Sequence, residues 1–409
     1  MAPVARGAFL AGGAAAVAAA AVAAATVTPA RAQNLTPFST PTPFGGIGTP
    51  LPFNGTVTIG VVGPFTGPNR LGEQMANGAR AAVDDANQLL GTLDKAFQIQ
   101  TFDDQNLLAS ALVTAEFACD DPQIVAVIGH LSGRITEAAM QTYVRNQMQV
   151  ISPASSYERL TQHGYGNLLR LVTKDSAEGH LAARRVNALL KPKSVVSLSQ
   201  DGDYGPDVAD GFHAQMKGDK VASTPISFSL DKPDFAGVAK SVVAANPDVV
   251  FLAGLTKDMG PVVPALVAAG YTGAFYGSQG FFDATTIATY GSSLEGLTVS
   301  SSMPPLKLAP GAFRIKNDFE QKYGGLTPLS TFSYAAAQII IAVVRRTNAG
   351  NRVAVERAFN VPTAFDTLIG SLVFGATGDL QDPNIYFYTV TSGAWKYAGS
   401  AYPNGFVVK

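Results

Sequence analysis

Apolar and polar positions along this chain switch repeatedly between two periods. Segments 57–62, 97–102, 124–128 and 150–151 are continuously apolar or alternate every second residue, as strands do. Between them, 73–90 places Ala79, Val83, Ala86 and Leu90 at helical spacing, and 107–118 and 135–146 read as further helices. The rhythm resumes beyond Leu168, with strands expected at 195–198, 224–228, 249–253 and 274–276 and helices at 206–216, 235–245 and 259–269. Repeated strand–helix units argue for an α/β protein with parallel, doubly wound sheets. So many strands in one continuous sheet would be unusual, so two lobes are expected. Two interruptions suggest where the chain passes between them. Segment 171–175 ends in charged residues, and 299–305 holds Ser300, Ser301 and Ser302 ahead of two prolines. Helices at 313–322 and 334–345 follow, and 384–390 and 395–397 close the chain as strands.

The start of the chain reads differently. Arg6 precedes an uncharged run from Gly7 to Ala25, and Ala30-Arg31-Ala32 is a small-x-small cleavage site before Gln33. Those are the three regions of a secretory signal peptide, expected over 1–32 with cleavage after Ala32. The run is nearly long enough to be a membrane anchor instead, but it is mostly alanine, which partitions weakly. No cysteine near the cleavage site could take a lipid, and no second long apolar stretch is evident by eye. Segment 33–55 is rich in Pro, Thr and Gly without periodicity, an extended lead-in.

A chain of 409 residues, 47% hydrophobic, can bury a sizeable core. Its 29 basic and 30 acidic residues leave a net charge of −1, which gives no electrostatic case for nucleic acid. Cys119 is the sole cysteine, so neither an intrachain disulfide nor a thiolate metal cluster can form. It reads as a small buried hydrophobe.

The polar residues of interest collect where strands end. Carboxyl ends of parallel strands form the ligand crevice of such folds, and helix N-termini there offer unpaired N–H groups. After 124–128 comes Gly129-His130-Leu131-Ser132-Gly133-Arg134, and after 150–151 comes Ser152-Pro153-Ala154-Ser155-Ser156. Each reads as a small-residue loop that opens a helix, and together they would cradle a small polar or anionic group, with a carboxylate the obvious candidate. Ser155 and Glu158 also fit a capping box, which most often does nothing but cap. Other strand ends read Gly63-Pro64-Phe65-Thr66-Gly67, Asp103-Asp104, Asp201-Gly202-Asp203-Tyr204-Gly205, Gly254-Leu255-Thr256-Lys257-Asp258 and Gly277-Ser278-Gln279-Gly280-Phe281-Phe282. A few convergent polar groups among apolar walls make a binding surface. It is a poor catalytic one. The histidines at 130, 163, 180 and 213 are scattered, and no P-loop, G-x-S-x-G elbow or G-x-G-x-x-G follows the first strand. His130 is expected to be structural, and Asp103-Asp104 to be a solvated, helix-capping pair rather than metal ligands or an acid and base. No catalytic residue, metal ligand or cofactor is assigned.

Taken in order, Ile59-Gly60-Val61-Val62-Gly63-Pro64-Phe65-Thr66-Gly67, Asp103-Asp104, Val127 to Ser132, Ser152 to Ser156 and Asp203-Tyr204-Gly205 resemble the leucine/isoleucine/valine-binding protein family, periplasmic receptors of ABC importers. The resemblance covers about 57–400. It implies a type I periplasmic-binding fold, with two α/β lobes joined by a multi-strand hinge and the ligand in the cleft. One lobe would take 56–172 and 305–378, the other 173–304 and 379–409. It also implies a monomer in the periplasm that delivers a small molecule to a membrane permease. An exported sensor of the same fold is the alternative, and a hydrolase on a doubly wound fold a more remote one.

Carried over residue by residue, the resemblance puts Ser132, Gly133 and Arg134 in the first carboxylate loop and Ala154, Ser155 and Ser156 in the second. The family's serine falls on Gly133. Tyr204 matches a hinge-side tyrosine, and two aromatic positions fall on Leu71 and Leu255. The acid that would pair with a ligand ammonium falls on Gln279. A buried ammonium wants a charge partner. On that ground an acid or amide without an amine is expected to suit Arg134, Gln279, Tyr204, Leu71, Leu255 and Phe281 better than a standard α-amino acid. Asp258 or Asp203 could supply the charge, but nothing in the sequence puts either on an ammonium.

Overall fold

The computed structural model describes residues 55–408, apart from 68–69, 90–96, 203, 309–311, 349, 362 and 405–406. The expected signal peptide, nearly all of the lead-in, and Asp203 lie outside the described residues.

The first half is built on strands β1 (Val57–Gly63), β2 (Phe97–Asp103), β3 (Ile124–Gly129), β4 (Gln149–Ser152) and β5 (Leu168–Arg170). They form a parallel five-stranded sheet in the order β2-β1-β3-β4-β5. Helices α1 (Gly72–Leu89), α2 (Leu108–Asp120) and α3 (Gly133–Arg145) make the first crossovers. Every residue of β1, β3 and β4 is buried. Both faces of this sheet are covered, which is why these strands read as unbroken apolar runs.

After Arg170 the chain enters a second series: α4 (Asp175–Leu190), β6 (Ser194–Gln200), α5 (Pro206–Gly218), β7 (Ala222–Phe228), α6 (Phe235–Ala245) and β8 (Val249–Ala253). It continues through α7 (Thr256–Met259), α8 (Val262–Ala268), β9 (Ala274–Gly277), α9 (Ala284–Tyr290) and β10 (Thr298–Ser301). In β8, Val250 and Leu252 join one apolar cluster while Val249, Phe251 and Ala253 join another, the period of two expected of a sheet between two helical layers. The expected helix over 259–269 is interrupted near its start. Pro261, which has no N–H to give, sits at the cap between α7 and α8.

The chain then returns to the first half as α10 (Ala312–Tyr323), α11 (Pro328–Thr347), α12 (Arg352–Phe359) and a hairpin of β11 (Phe365–Thr367) and β12 (Gly370–Leu372). It crosses once more for β13 (Ile385–Thr391), β14 (Ala394–Ala401) and β15 (Val407–Val408). The second sheet runs β15-β14-β13-β10-β9-β8-β6-β7, parallel from β10 to β7 and antiparallel from β10 to β15.

Helix α11 holds the first half together. Pro328 stands at its first turn, and Thr327 and Ser330 form a reciprocal capping box. Ala335, Ile339 and Val343 join Ile59, Val61 and Met75 in one apolar cluster. By length and composition this helix could cross a membrane, so a second long apolar stretch exists after all. Its burial against the sheet and α1 explains that composition. An ion pair between a buried arginine and a half-buried aspartate ties the return segment down. Arg170, fully buried, donates to Asp379 Oδ1 at 2.8 Å and 2.5 Å and also bonds Tyr157 O and Thr161.

Candidate functional site

The loops at the strand ends of the first half are fixed by carboxylates. Asp103 accepts the N–H groups of Phe65, Thr66 and Gln105 and the Thr66 hydroxyl, which pins the loop after β1 to the end of β2. Burial works against its charge, but these hydrogen bonds hold its carboxyl below the usual carboxylate value. Asp104 is fully buried, with Oδ2 2.6 Å from His130 Nδ1, and His130 Nε2 lies 3.0 Å from the Tyr143 hydroxyl. His130 is thus a satisfied structural histidine. Of the acidic pair, Asp103 is half-exposed but Asp104 is not solvated, and neither side chain caps α2, whose cap residue Leu107 makes no side-chain bond. Among the described residues, no group of carboxylates, histidines or cysteines could hold a metal ion.

In the first expected cradle loop, Ser132 donates its hydroxyl to Asn106 Oδ1 at 2.6 Å. Gly133 opens α3 against the second loop, where a Cβ would stand 2.1 Å from the Tyr157 Cβ. Only glycine lets the two loops approach so closely. Arg134 is exposed on the first turn.

The second loop departs from expectation. It opens a single 3₁₀ turn, Glu158–Thr161, rather than an α-helix. Glu158 makes no capping box with Ser155. Its carboxylate accepts from Lys174 Nζ at 3.0 Å and from the Ser176 N–H at 3.2 Å, so it caps α4 instead. Ser155 donates its N–H to Ser152 Oγ, and its own hydroxyl is buried without a hydrogen bond. Ala154 is half-buried beside it. Ser156 accepts the Asp175 N–H at 3.0 Å through its carbonyl.

That last bond leads to the residues the sequence reading missed, on the first turns of α4. Asp175 is 1% exposed, its carboxylate enclosed beside the Ser156 side chain. Burial pushes its pKa well above the usual value; the Ser156 side chain alongside only partly offsets this. Glu178, one turn on, is fully buried. Its Oε1 accepts the Gln279 N–H and the Ser300 hydroxyl, both at 2.6 Å, and its Oε2 accepts the Tyr204 hydroxyl at 3.3 Å. Burial raises its pKa to about 7 against the pull of those donors. Tyr204 also accepts the Gly280 N–H, and the Gln279 side-chain oxygen accepts the Ser302 hydroxyl. Gln200 donates to the Tyr204 carbonyl while its own oxygen stays buried and unpartnered.

The structure therefore ties Ser156 to the start of α4 at Asp175, ties Tyr204 and Gln279 to Glu178 one turn on, and packs Gly133 against Tyr157; the Ser155 hydroxyl joins none of these bonds. Leu71 and Leu255 are 36% and 39% exposed, each just ahead of a helix that follows a strand, so each half has apolar surface at its strand ends. Phe281 is fully buried in the core of the second half and offers nothing to a ligand. Asp258 pairs with Lys257.

Two α/β halves crossed by the chain at three places, with polar groups gathered at the junction, define a periplasmic-type solute-binding protein. The chain belongs to the periplasmic binding protein family, whose model matches residues 56–394. It is 28% identical over 335 residues to the Leu/Ile/Val-binding protein of Escherichia coli, covering 80% of this chain and 88% of that protein. In fold it is similar to a branched-chain amino acid transporter substrate-binding protein of Streptococcus pneumoniae solved with isoleucine (TM-score 0.76, 19% identity, 85% of this chain and 100% of that one). It is also similar to a solute-binding protein of an ABC transporter from R. palustris solved with benzoate (TM-score 0.72, 17% identity, 87% and 98% covered).

Proposed function

We propose that this chain is the exported, non-enzymatic solute receptor of an ABC importer, which captures a small organic molecule between its halves and presents it to a membrane permease. The observation behind this reading is the junction at α4. Its first turns bond Ser156 of the first half and Gln279, Tyr204 and Ser300 of the second. A ligand that touches this junction interacts differently with open and closed forms, which is what drives hinge closure. The serine loop and the N-terminus of α3 would take a carboxylate, with Leu71 and Leu255 as apolar walls. Export would follow from the signal peptide over 1–32, and the receptor would act as a monomer. The names of the relatives, amino-acid receptors among them, support the transport role.

A thermal-shift screen over amino acids, aromatic acids, aliphatic acids and amides tests the reading. A true ligand at a hundredfold excess over its dissociation constant adds about 2.7 kcal/mol of apparent stability. No stabilisation by any class would overturn it. The secreted form should begin at Gln33.

A further inference from the structure

Helix α2 reverses the usual pattern of a surface helix. Its buried face is made of small residues, Ala111, Thr114, Ala115, Ala118 and Cys119. Leu108, Leu112, Val113 and Phe117, with the cap residue Leu107, are between 47% and 60% exposed. The pairs 108/112 and 113/117 stand four residues apart, so these side chains share one face. Among the described residues, no other helix or strand exposes more than one large apolar side chain. A surface helix normally turns its apolar stripe to the core, and an exposed apolar patch of this kind marks an interaction site. The charges around the face are unevenly placed. Glu116 and Asp120 lie exposed in the last turns, where Arg352 donates to the Cys119 and Asp121 carbonyls at 2.7 Å and 2.6 Å and Arg145 of α3 bonds Glu116 at 3.1 Å. The other end is open. The first turn of α2 holds no acid, Leu107 gives no side-chain cap, and the nearest acid upstream, Asp104, is engaged by His130 and the Asn106 N–H. A helix N-terminus favours a negative charge close by.

We propose that the exposed face of α2 is an interface with a second copy of this chain, the two helices pairing antiparallel about a two-fold axis near Leu112 and Val113. A two-fold interface must be complementary to itself. Positions equally far from the axis meet, so Leu108 faces Phe117 of the second copy and Leu112 faces its Val113. The acidic last turns of each α2 then lie beside the uncapped first turn of the other, and symmetry supplies twice the charge that each N-terminus lacks. A net charge of −1 does not hold the copies apart. One helix face from each copy makes an interface at the low end of the specific range, below about 1,200 Å² in total, so the pairing is reversible. Each copy keeps its own junction at α4, and solute capture stays the act of one copy. The pairing goes beyond the receptor reading and does not depend on it.

Sedimentation velocity on the mature, solute-free protein from about 1 µM to about 1 mM tests the pairing. The wild type should pass from monomer to dimer within that range. Leu112→Glu places two carboxylates at the axis and should keep the protein monomeric at the highest concentration while it stays folded. Asp120→Lys should raise the dissociation constant about tenfold, the scale of one helix-end charge reversed on each side. Crosslinking reads the geometry separately. Val113→Cys should be joined to a second copy by a short bis-maleimide, whereas Val267→Cys, similarly exposed on α8, should not; the native Cys119 is buried and does not compete. A monomer throughout overturns the proposal and leaves the face to a different partner. A dimer of equal strength in Leu112→Glu overturns it too, and assigns the pairing to another surface.

Discussion

The Glu178 carboxylate accepts the backbone N–H of Gln279 at 2.6 Å across 101 residues of sequence. The two side chains have complementary roles. The neutral amide lines the junction, and the acid stands behind it. Charge absent from one residue is held by another on a different element, and only the fold brings the two together.

One prediction concerns pH and stability. An unfolded Glu178 would titrate near 4.5, whereas in the fold its pKa is about 7. Between those values the folded state holds a proton that the unfolded state has lost, so stability falls as pH rises through this window. The full difference is about 3 kcal/mol for one such group. Asp175 works in the same direction. Without ligand, Glu178→Gln should melt at a higher temperature than the wild type at pH 8 and at nearly the same temperature at pH 4.5. Equal melting temperatures at both pH values would mean that the burial of Glu178 costs nothing.

Ser155 and Ser156 should respond differently from ordinary core serines. The Ser155 hydroxyl has no partner without ligand, so Ser155→Ala should leave the stability of the free protein unchanged or slightly raised. Both Ser155→Ala and Ser156→Ala should weaken binding, by about 1.5–3 kcal/mol where the lost bond is to a charged group. Denaturant melts and calorimetry read the two effects separately. Unchanged affinity in both variants would take this loop out of the site.

Most central strands of both halves were legible because sheets covered on two faces leave continuous apolar runs, but β5 was not read as a strand, and β10, whose serines read as an interruption, is a strand of the second sheet. Helix α4 was not legible either. Its buried face includes Asp175, Glu178 and Arg185 among its apolar residues, which blurs the 3.6-residue period. The acids that organise the site were overlooked with it. The hairpin of β11 and β12 is too short to show a period, with three residues per strand. Ser155 and Glu158 carried a real signal, but of the wrong partner. A carboxylate three residues after a serine looks local in sequence, while the N–H it accepts lies 18 residues further on.

The tie between Arg170 and Asp379 carries a third expectation. Asp379→Asn leaves a fully buried guanidinium without its countercharge, a change that costs about 3 kcal/mol for such pairs. A lower midpoint in urea at unchanged slope is the expected outcome. A midpoint equal to the wild type would show that Tyr157 and Thr161 alone hold the arginine.

The order in which the chain is written differs from the order in which it can become complete. Strands β1 to β5 are finished by residue 170, but α11, which shares the covering of one of their faces with α1, begins at Pro328. A growing chain therefore carries a partly uncovered apolar sheet surface, or no sheet at all, through some 157 further residues. Contacts so distant in sequence are slow to form. Late closure is a hazard for a protein that folds where it is made. If the chain is exported as proposed, the same delay would keep it in a state that can be threaded through a membrane.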